Sequence, residues 1–199
     1  VWLPIPIERS DLIPVAVREG FTFHHTEADR LILAKALQAG AYVYPYASHS
    51  LGVGAVVLEP GGQILVVQER YMAQSRPGYY KLPGGLLEPG EYIVDGAARE
   101  VREETGIEAR FDSLVCFRHH HRGQFGTSNI YFVCRMEALT VDIKIDPEEI
   151  AEGRWMAVEE FLGQTTVGDF NKQVVRMALA ERASGAAEIL PHELRAPGR

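Results

Sequence analysis

The chain has 199 residues, of which 46% are hydrophobic and 24% charged, with a formal net charge of −7. That length carries one substantial domain, or one domain plus a small module, and the composition excludes disordered, collagen-like and coiled-coil chains. The acidic balance argues against nucleic acid as a partner, because such binding rests on Lys and Arg neutralising phosphates; an anionic substrate would need local positive charge, and a divalent cation is the obvious source.

Residues 1–45 read as a small α/β module. It has a strand over 2–7, a helix over 12–18 and apolar stretches at 21–24 and 31–37. Residues 41–50, rich in Tyr, Ala and Ser with Pro45 inside, read as a connection. The main domain is expected over 46–185. Its runs 51–58 and 63–68 are rich in Val and Leu and are separated by Glu59-Pro60-Gly61-Gly62, which predicts a hairpin. Further short strands are expected at 78–82, 114–117 and 130–135, with helices over 93–105, 158–162 and 170–182. The sum is an α/β fold, a mixed sheet with helices packed on it. A tail, 186–199, carries Pro191 and Pro197 and reads as irregular.

Cys116 and Cys134 offer neither a disulfide framework nor a paired-cysteine zinc site and read as core thiols. No apolar run approaches the roughly 20 residues of a membrane helix, and no signal-peptide pattern opens the chain. A cytoplasmic protein that does not enter a membrane is expected. The first residue is Val1 rather than Met, so the natural start stays open.

The chemistry concentrates in the predicted helix over 93–105. Ile93, Val94, Ala97, Ala98 and Val101 form an apolar stripe for the core, and Gly106 is a stop signal just past it. At about 100° per residue, Glu100 and Glu104 lie one turn apart beside that stripe, with Glu103 next to them. A like-charge pair at that spacing costs an isolated helix roughly 0.2–0.5 kcal/mol. Arg99, four residues before Glu103, or a hard cation with oxygen ligands would compensate. A solvated charged face is the plainer reading, and the glutamates alone do not decide between the two.

The loop before the helix adds the second signal. Leu82-Pro83-Gly84-Gly85 and Pro89-Gly90-Glu91 supply turn residues that bring backbone close to the helix face. From Gly85 through Glu91, Arg99-Glu100-Val101, Glu103-Glu104 and Gly106-Ile107, the segment resembles the Nudix box at each of its fixed positions. The resemblance implies a Nudix α/β/α sandwich carrying a loop–helix–loop. It also implies Mg2+ or Mn2+ held by Glu100, Glu103, Glu104 and the Gly84 carbonyl, with Arg99 orienting Glu103 and Glu91 supporting the site from behind. Gly85 then lies against the substrate. The general base would be a box glutamate or one of Glu148, Glu149 and Glu152, read as a loop before Trp155, with Glu149 the first choice.

The likeness extends to plant cytosolic Nudix hydrolases and the animal antisense-fibroblast-growth-factor (GFG) Nudix protein. It is carried by residues 1–7, Gly20-Phe21-Thr22-Phe23-His24-His25 with Glu27 and Asp29, Tyr46-Ala47-Ser48-His49, and 117–126. Arg118 and His121 are candidate substrate contacts, since either side chain can donate to phosphate or stack on a base; a polar strand end explains them equally. Strand alternation would part His120 from His119 and His121, which argues against three histidines on one ion. His24 and His25 read as structural.

The resemblance implies hydrolysis of the pyrophosphate bond in a nucleoside diphosphate linked to X. ADP-ribose is the first choice, followed by NADH or a related dinucleotide. Neither the Ser-Gln-Pro-Trp-Pro run of NADH pyrophosphatases nor the coenzyme A motif is present. The alternative is a dimeric regulatory or binding protein on the same fold. A homodimer is expected through the amino-terminal module, because a module of that size buries too little surface alone.

Overall fold

The computed structural model of the protein describes residues 1–121 and 126–180, in two units, Val1–Ser48 and His49–Arg199. In the first, β1 (Trp2–Pro6) carries Pro4 and Pro6 and lies at a sheet edge, where proline is tolerated; a 3-10 turn, Ile7–Leu12, runs into α1 (Ile13–Arg18), which has proline in its first turn. β2 (Thr22–Thr26) and β3 (Arg30–Ala34) complete an antiparallel sheet ordered β1-β3-β2. Ile5, Ala16 and Leu33 are its buried centre. The apolar stretch at 31–37 is a strand only as far as Ala34.

The second unit runs β4 (His49–Leu58), β5 (Ile64–Glu69), α2 (Arg70–Ala73), β6 (Gly84–Leu86), α3 (Ile93–Thr105), β7 (Ala109–His120), β8 (Ser128–Ala138), β9 (Ile150–Met156), α4 (Val158–Gly163) and α5 (Asp169–Leu179). Its sheet is ordered β7-β8-β4-β5-β9, with β6 also on β4. β4 and β8 are parallel and the other pairs antiparallel, so the sheet is mixed.

Period-two alternation sends successive side chains to opposite faces, and here both faces are covered. Val53, Ala55 and Val57 of β4, Leu65 of β5, and Cys134 and Met136 of β8 pack with Ala97 and Val101 of α3. Val56, Ile64, Val66 and Val133 point the other way, to Phe161 of α4 and to Val174, Val175 and Ala178 of α5. A sheet buried on both sides reads as near-continuous Val and Leu, which is how β4 and β5 look in the sequence. This is the α/β/α layering that the resemblance implies.

The predicted hairpin forms, but its strands meet at Leu58 opposite Ile64 and then part. The segment after α2 fills the fork. Lys81 exchanges backbone hydrogen bonds with Val67 of β5, at 2.9 and 3.0 Å, while Ala55 of β4 donates to the Pro83 carbonyl at 3.0 Å and Leu87 to Leu51 at 3.0 Å. The strand expected at 78–82 is therefore reduced to a single bridge at Lys81, and pairing shifts downstream to β6. The sequence reading also missed β9. It placed Glu152 in a loop, whereas Glu152 lies within β9 opposite Gln68; the polar residues Glu152 and Arg154 mask that strand's alternation. α5 begins at Asp169 and is described to Leu179, so the end of the helix expected over 170–182, like the tail 186–199, lies outside the described residues.

Candidate active site

With Ala97 and Val101 of α3 pinned on the sheet, the neighbouring arc of the helix faces the loop in the fork. Glu104 is buried, at 5% exposure, and its Oε2 accepts the Gly84 amide at 3.0 Å. Gly84 has φ 148°, and a Cβ there would run into the Val53 carbonyl and the Tyr131 hydroxyl, so glycine alone brings this amide so close. A Cβ at Gly85 would lie 2.6 Å from both carboxylate oxygens of Glu100. The loop backbone and the helix carboxylates thus share one tight space.

Arg99 organises the exposed side of the cluster. Its Nε and Nη2 donate to the two carboxylate oxygens of Glu91 at 2.8 and 2.9 Å, its Nη1 to Glu100 at 3.0 Å and to Glu103 at 2.9 Å, and its Nη2 to the Leu86 carbonyl at 3.0 Å. The firmest of these is the planar two-point grip on Glu91, which also accepts the Glu88 amide at 3.0 Å. Arg99 therefore touches three glutamates rather than Glu103 alone. Beside this guanidinium the Glu91 carboxyl falls below its ordinary value.

Two residues of this cluster escaped the sequence reading. Lys81 Nζ reaches Glu69 Oε1 at 2.6 Å, Glu104 Oε1 at 3.3 Å and the Gly84 carbonyl at 3.2 Å. The signal was present: Lys81 is the one basic residue between Arg76 and Arg99 and directly precedes Leu82-Pro83-Gly84-Gly85. Glu69 gave none, because it closes an apolar strand far away in the chain.

Burial favours the uncharged forms here, and it pushes the Glu100 and Glu104 carboxyls above the ordinary value. At Lys81 burial works against the charge, but the Glu104 and Glu69 carboxylates outweigh it and the ammonium is held above its usual range. Among the described residues, Glu69, Glu91, Glu100, Glu103 and Glu104 face only Lys81 and Arg99; five acids against two cations leave an excess of three negative charges. Their donors, with the Gly84 carbonyl, are all oxygen, the chemistry a hard divalent cation takes. As they stand, no three acidic, His or Cys side chains among the described residues converge on one point; Lys81 and Arg99 between them are ion-paired to all five glutamates.

On the opposite face of the sheet, a cavity of about 350 Å³ is lined by Tyr79, Lys81, Arg118, Tyr131, Phe170 and Asn171, among others. The Arg118 guanidinium lies 4.7 Å from the Phe170 ring centre and 5.9 Å from that of Tyr131. Tyr131 lies over Gly52 and Gly54, where any Cβ would strike its ring, and burial pushes its hydroxyl pKa up to about 12. Lys81 is common to the cavity and the carboxylate cluster.

His121 is not among the lining residues of this cavity. It follows the last residue of β7, packs 4.3 Å from the His119 ring and has its Nδ1 3.1 Å from Ser128 Oγ; alternation along β7 turns His119 away from the Arg118 face. His49 Nε2 meets His119 Nε2 at 2.9 Å. In the first unit His24 Nε2 is 2.6 Å from the Tyr44 carbonyl and His25 stacks on Tyr46 at 4.3 Å, local contacts of a structural kind. Cys134 is buried and Cys116 partly so; burial raises both thiols, Cys134 to about 12.

Glu148 and Glu149 lie in the turn before β9. The Glu149 carbonyl accepts the Arg70 amide at 2.8 Å, which ties that turn to the residue after Glu69. Glu152 is engaged by the Tyr80 hydroxyl and lies 3.9 Å from Arg154.

The NUDIX domain model matches residues 48–177, and the Nudix hydrolase domain model matches residues 1–37. The chain is 38% identical over 198 residues to Nudix hydrolase 8 of Arabidopsis thaliana, covering 98% of this chain and 54% of that protein. It is 40% identical over 183 residues to nucleoside diphosphate-linked moiety X motif 6 of Homo sapiens, covering 90% of this chain and 57% of that one. It thus spans little more than half the length of these curated relatives. A MutT protein from Methanosarcina mazei Go1 superposes with a TM-score of 0.55 at 25% identity, over 67% of this chain and 96% of that structure. No helix among the described residues is long and apolar enough to cross a membrane. On the domain match over 48–177, laid on a two-sided mixed sheet with the box helix against it, the chain belongs to the Nudix hydrolase family.

Proposed function

We propose that the protein hydrolyses the pyrophosphate bond of a nucleoside diphosphate linked to X, with ADP-ribose as first choice and NADH or a related dinucleotide next. The observation that carries this reading is the uncompensated carboxylate cluster joined through Lys81 to an aromatic cavity that bears Arg118. Glu100, Glu103, Glu104 and the Gly84 carbonyl would hold Mg2+ or Mn2+. When bound, such an ion neutralises charge on the departing phosphate and makes water more acidic.

The chain's own groups do the rest. Arg99 keeps Glu100 and Glu103 turned toward the loop. Gly85, bare of a side chain, leaves room for the diphosphate beside Glu100. Arg118, rather than His121, meets the substrate, since its guanidinium lines the cavity and His121 packs instead on His119 and Ser128. The Phe170 and Tyr131 rings offer flat surfaces to a base. Glu149 is the favoured acceptor of the proton from the attacking water, because the Arg70 contact draws its turn toward the cluster.

The test is phosphate release from ADP-ribose, NADH, dinucleoside polyphosphates and nucleoside triphosphates, with Mg2+ or Mn2+. Glu103→Gln is compared throughout, and Gln is placed in turn at Glu148, Glu149 and Glu152. Metal-dependent turnover of ADP-ribose, lost in Glu103→Gln and reduced about 10²-fold or more in Glu149→Gln, is expected. No turnover on any substrate would replace the enzyme with a binding protein on the same fold.

A further inference from the structure

Lys81 holds two of the oxygen donors assigned to the divalent ion. All three of its ammonium donors are in use, on Glu69, Glu104 and the Gly84 carbonyl. Its side chain is 19% exposed, so little water screens these contacts. An ion bound to Glu104 and to the Gly84 carbonyl would approach them to about 2.1 Å, on oxygens that Lys81 occupies from 3.2 and 3.3 Å. Two cations on the same oxygens repel strongly in a partly dry site. The contacts to Glu104 and Gly84 are also the long ones, whereas the ion pair to Glu69, at 2.6 Å, is short.

We propose that Lys81 is a built-in counter-cation that the divalent ion displaces: Nζ leaves Glu104 and the Gly84 carbonyl, pivots on Glu69, and turns into the cavity it already lines. This rests on the metal reading of the site given above. The exchange has two consequences. The metal-free protein does not carry Glu104 as a bare buried carboxylate, which would cost stability. And the ammonium released by the ion enters the cavity that would take the anionic substrate, so metal and anion binding reinforce each other. Glu69 is a positioning residue in this scheme, since it holds the lysine and touches neither the ion nor the substrate.

The experiment is direct Mn2+ binding to the full chain without substrate, followed by electron paramagnetic resonance of the free ion, for the unchanged protein, Lys81→Met, Glu69→Gln and the double variant. Removing the competitor should tighten Mn2+ binding by roughly tenfold or more, the worth of a charge-assisted hydrogen bond. Glu69→Gln should weaken binding, because Lys81 then has no second partner to retreat to, and this weakening should largely vanish in the Lys81→Met background. Lys81→Gln carries the same expectation as Lys81→Met if the latter does not fold.

Equal or weaker Mn2+ binding by Lys81→Met and Lys81→Gln overturns the proposal and leaves the metal reading standing. A full-sized Glu69→Gln effect without Lys81 also overturns it, since Glu69 would then act on the ion directly. If the unchanged chain takes up no Mn2+, the metal reading falls and this exchange falls with it.

Discussion

Arg99 is where charge, loop and helix meet, and its removal has a calculable cost. Arg99→Gln deletes two hydrogen bonds to Glu91, one each to Glu100 and Glu103, and one to the Leu86 carbonyl. Breaking a buried ion pair from one side costs roughly 3–5 kcal/mol. Two features reduce that here. The Glu103 side chain is 55% exposed, so its pair contributes almost nothing, and Glu91 keeps the Glu88 amide. What remains is the exposure of Glu91 and Glu100, with side chains at 14% and 15%, to each other's charge without a counter-ion. A loss of about 2–4 kcal/mol follows, or roughly 5–15 °C in melting temperature for a domain of this size. Arg99→Lys keeps the charge but cannot grip both oxygens of Glu91 while reaching Glu100, so it should recover only part of the loss. Thermal unfolding of the metal-free protein at pH 7, followed by circular dichroism, measures both. A melting temperature for Arg99→Gln within about 2 °C of the unchanged protein, or full recovery in Arg99→Lys, would refute the reasoning.

Two other substitutions test the same cluster. Glu100 has its carboxyl raised above 4.5 by burial; its contribution to folding is favourable below that pH and is lost as pH rises through the raised value, so at pH 7 it costs stability. Glu100→Gln should therefore melt higher than the unchanged protein at pH 7 without metal, lose that advantage below pH 4.5, and gain less from added Mn2+. Melting curves against pH decide, and a variant less stable at pH 7 than the unchanged protein would count against the burial argument. For the loop, Gly90→Ala meets open space at φ 84° and should cost about 1–2 kcal/mol from left-handed backbone alone. Gly84→Ala adds collisions with Val53 and Tyr131 and should cost at least twice that in urea unfolding; equal costs would show that the loop simply moves aside.

The legible parts of this molecule are those whose signal is local. The stripe of Ala97 and Val101 with Gly106 behind it specifies α3 and its buried face, and the apolar runs of β4 and β5 specify strands covered on both sides. The box residues are equally local, since one helix and the loop before it carry them all. What the sequence hides is pairing at a distance. Residues 78–82 look like a strand, but Lys81 finds only Val67 as a partner, because the next residues are drawn off to β4. β9 is hidden for the opposite reason: Glu152 and Arg154 interrupt its apolar pattern, and only the pairing with β5 makes it a strand. Lys81 and Glu69 are twelve positions apart and on different segments, so no helical or strand period connects them.

That long-range pairing also accounts for how one site can draw on both faces of the sheet. A continuous β4–β5 pair would wall α3 off from the cavity under α5. Because the two strands part after Leu58 and Ile64, the chain from Lys81 to Leu87 enters the gap, bonded to β5 at one end and to β4 at the other. Backbone in that gap faces Glu104 on one side and Tyr131 on the other. The gap is so narrow at Gly84 that a Cβ there would strike Val53 and Tyr131, and the unbranched Lys81 beside it reaches Glu69, Glu104 and the Gly84 carbonyl. The same opening of the sheet that spoils the strand prediction at 78–82 is thus what brings the carboxylates of α3 and the aromatic cavity within reach of one side chain.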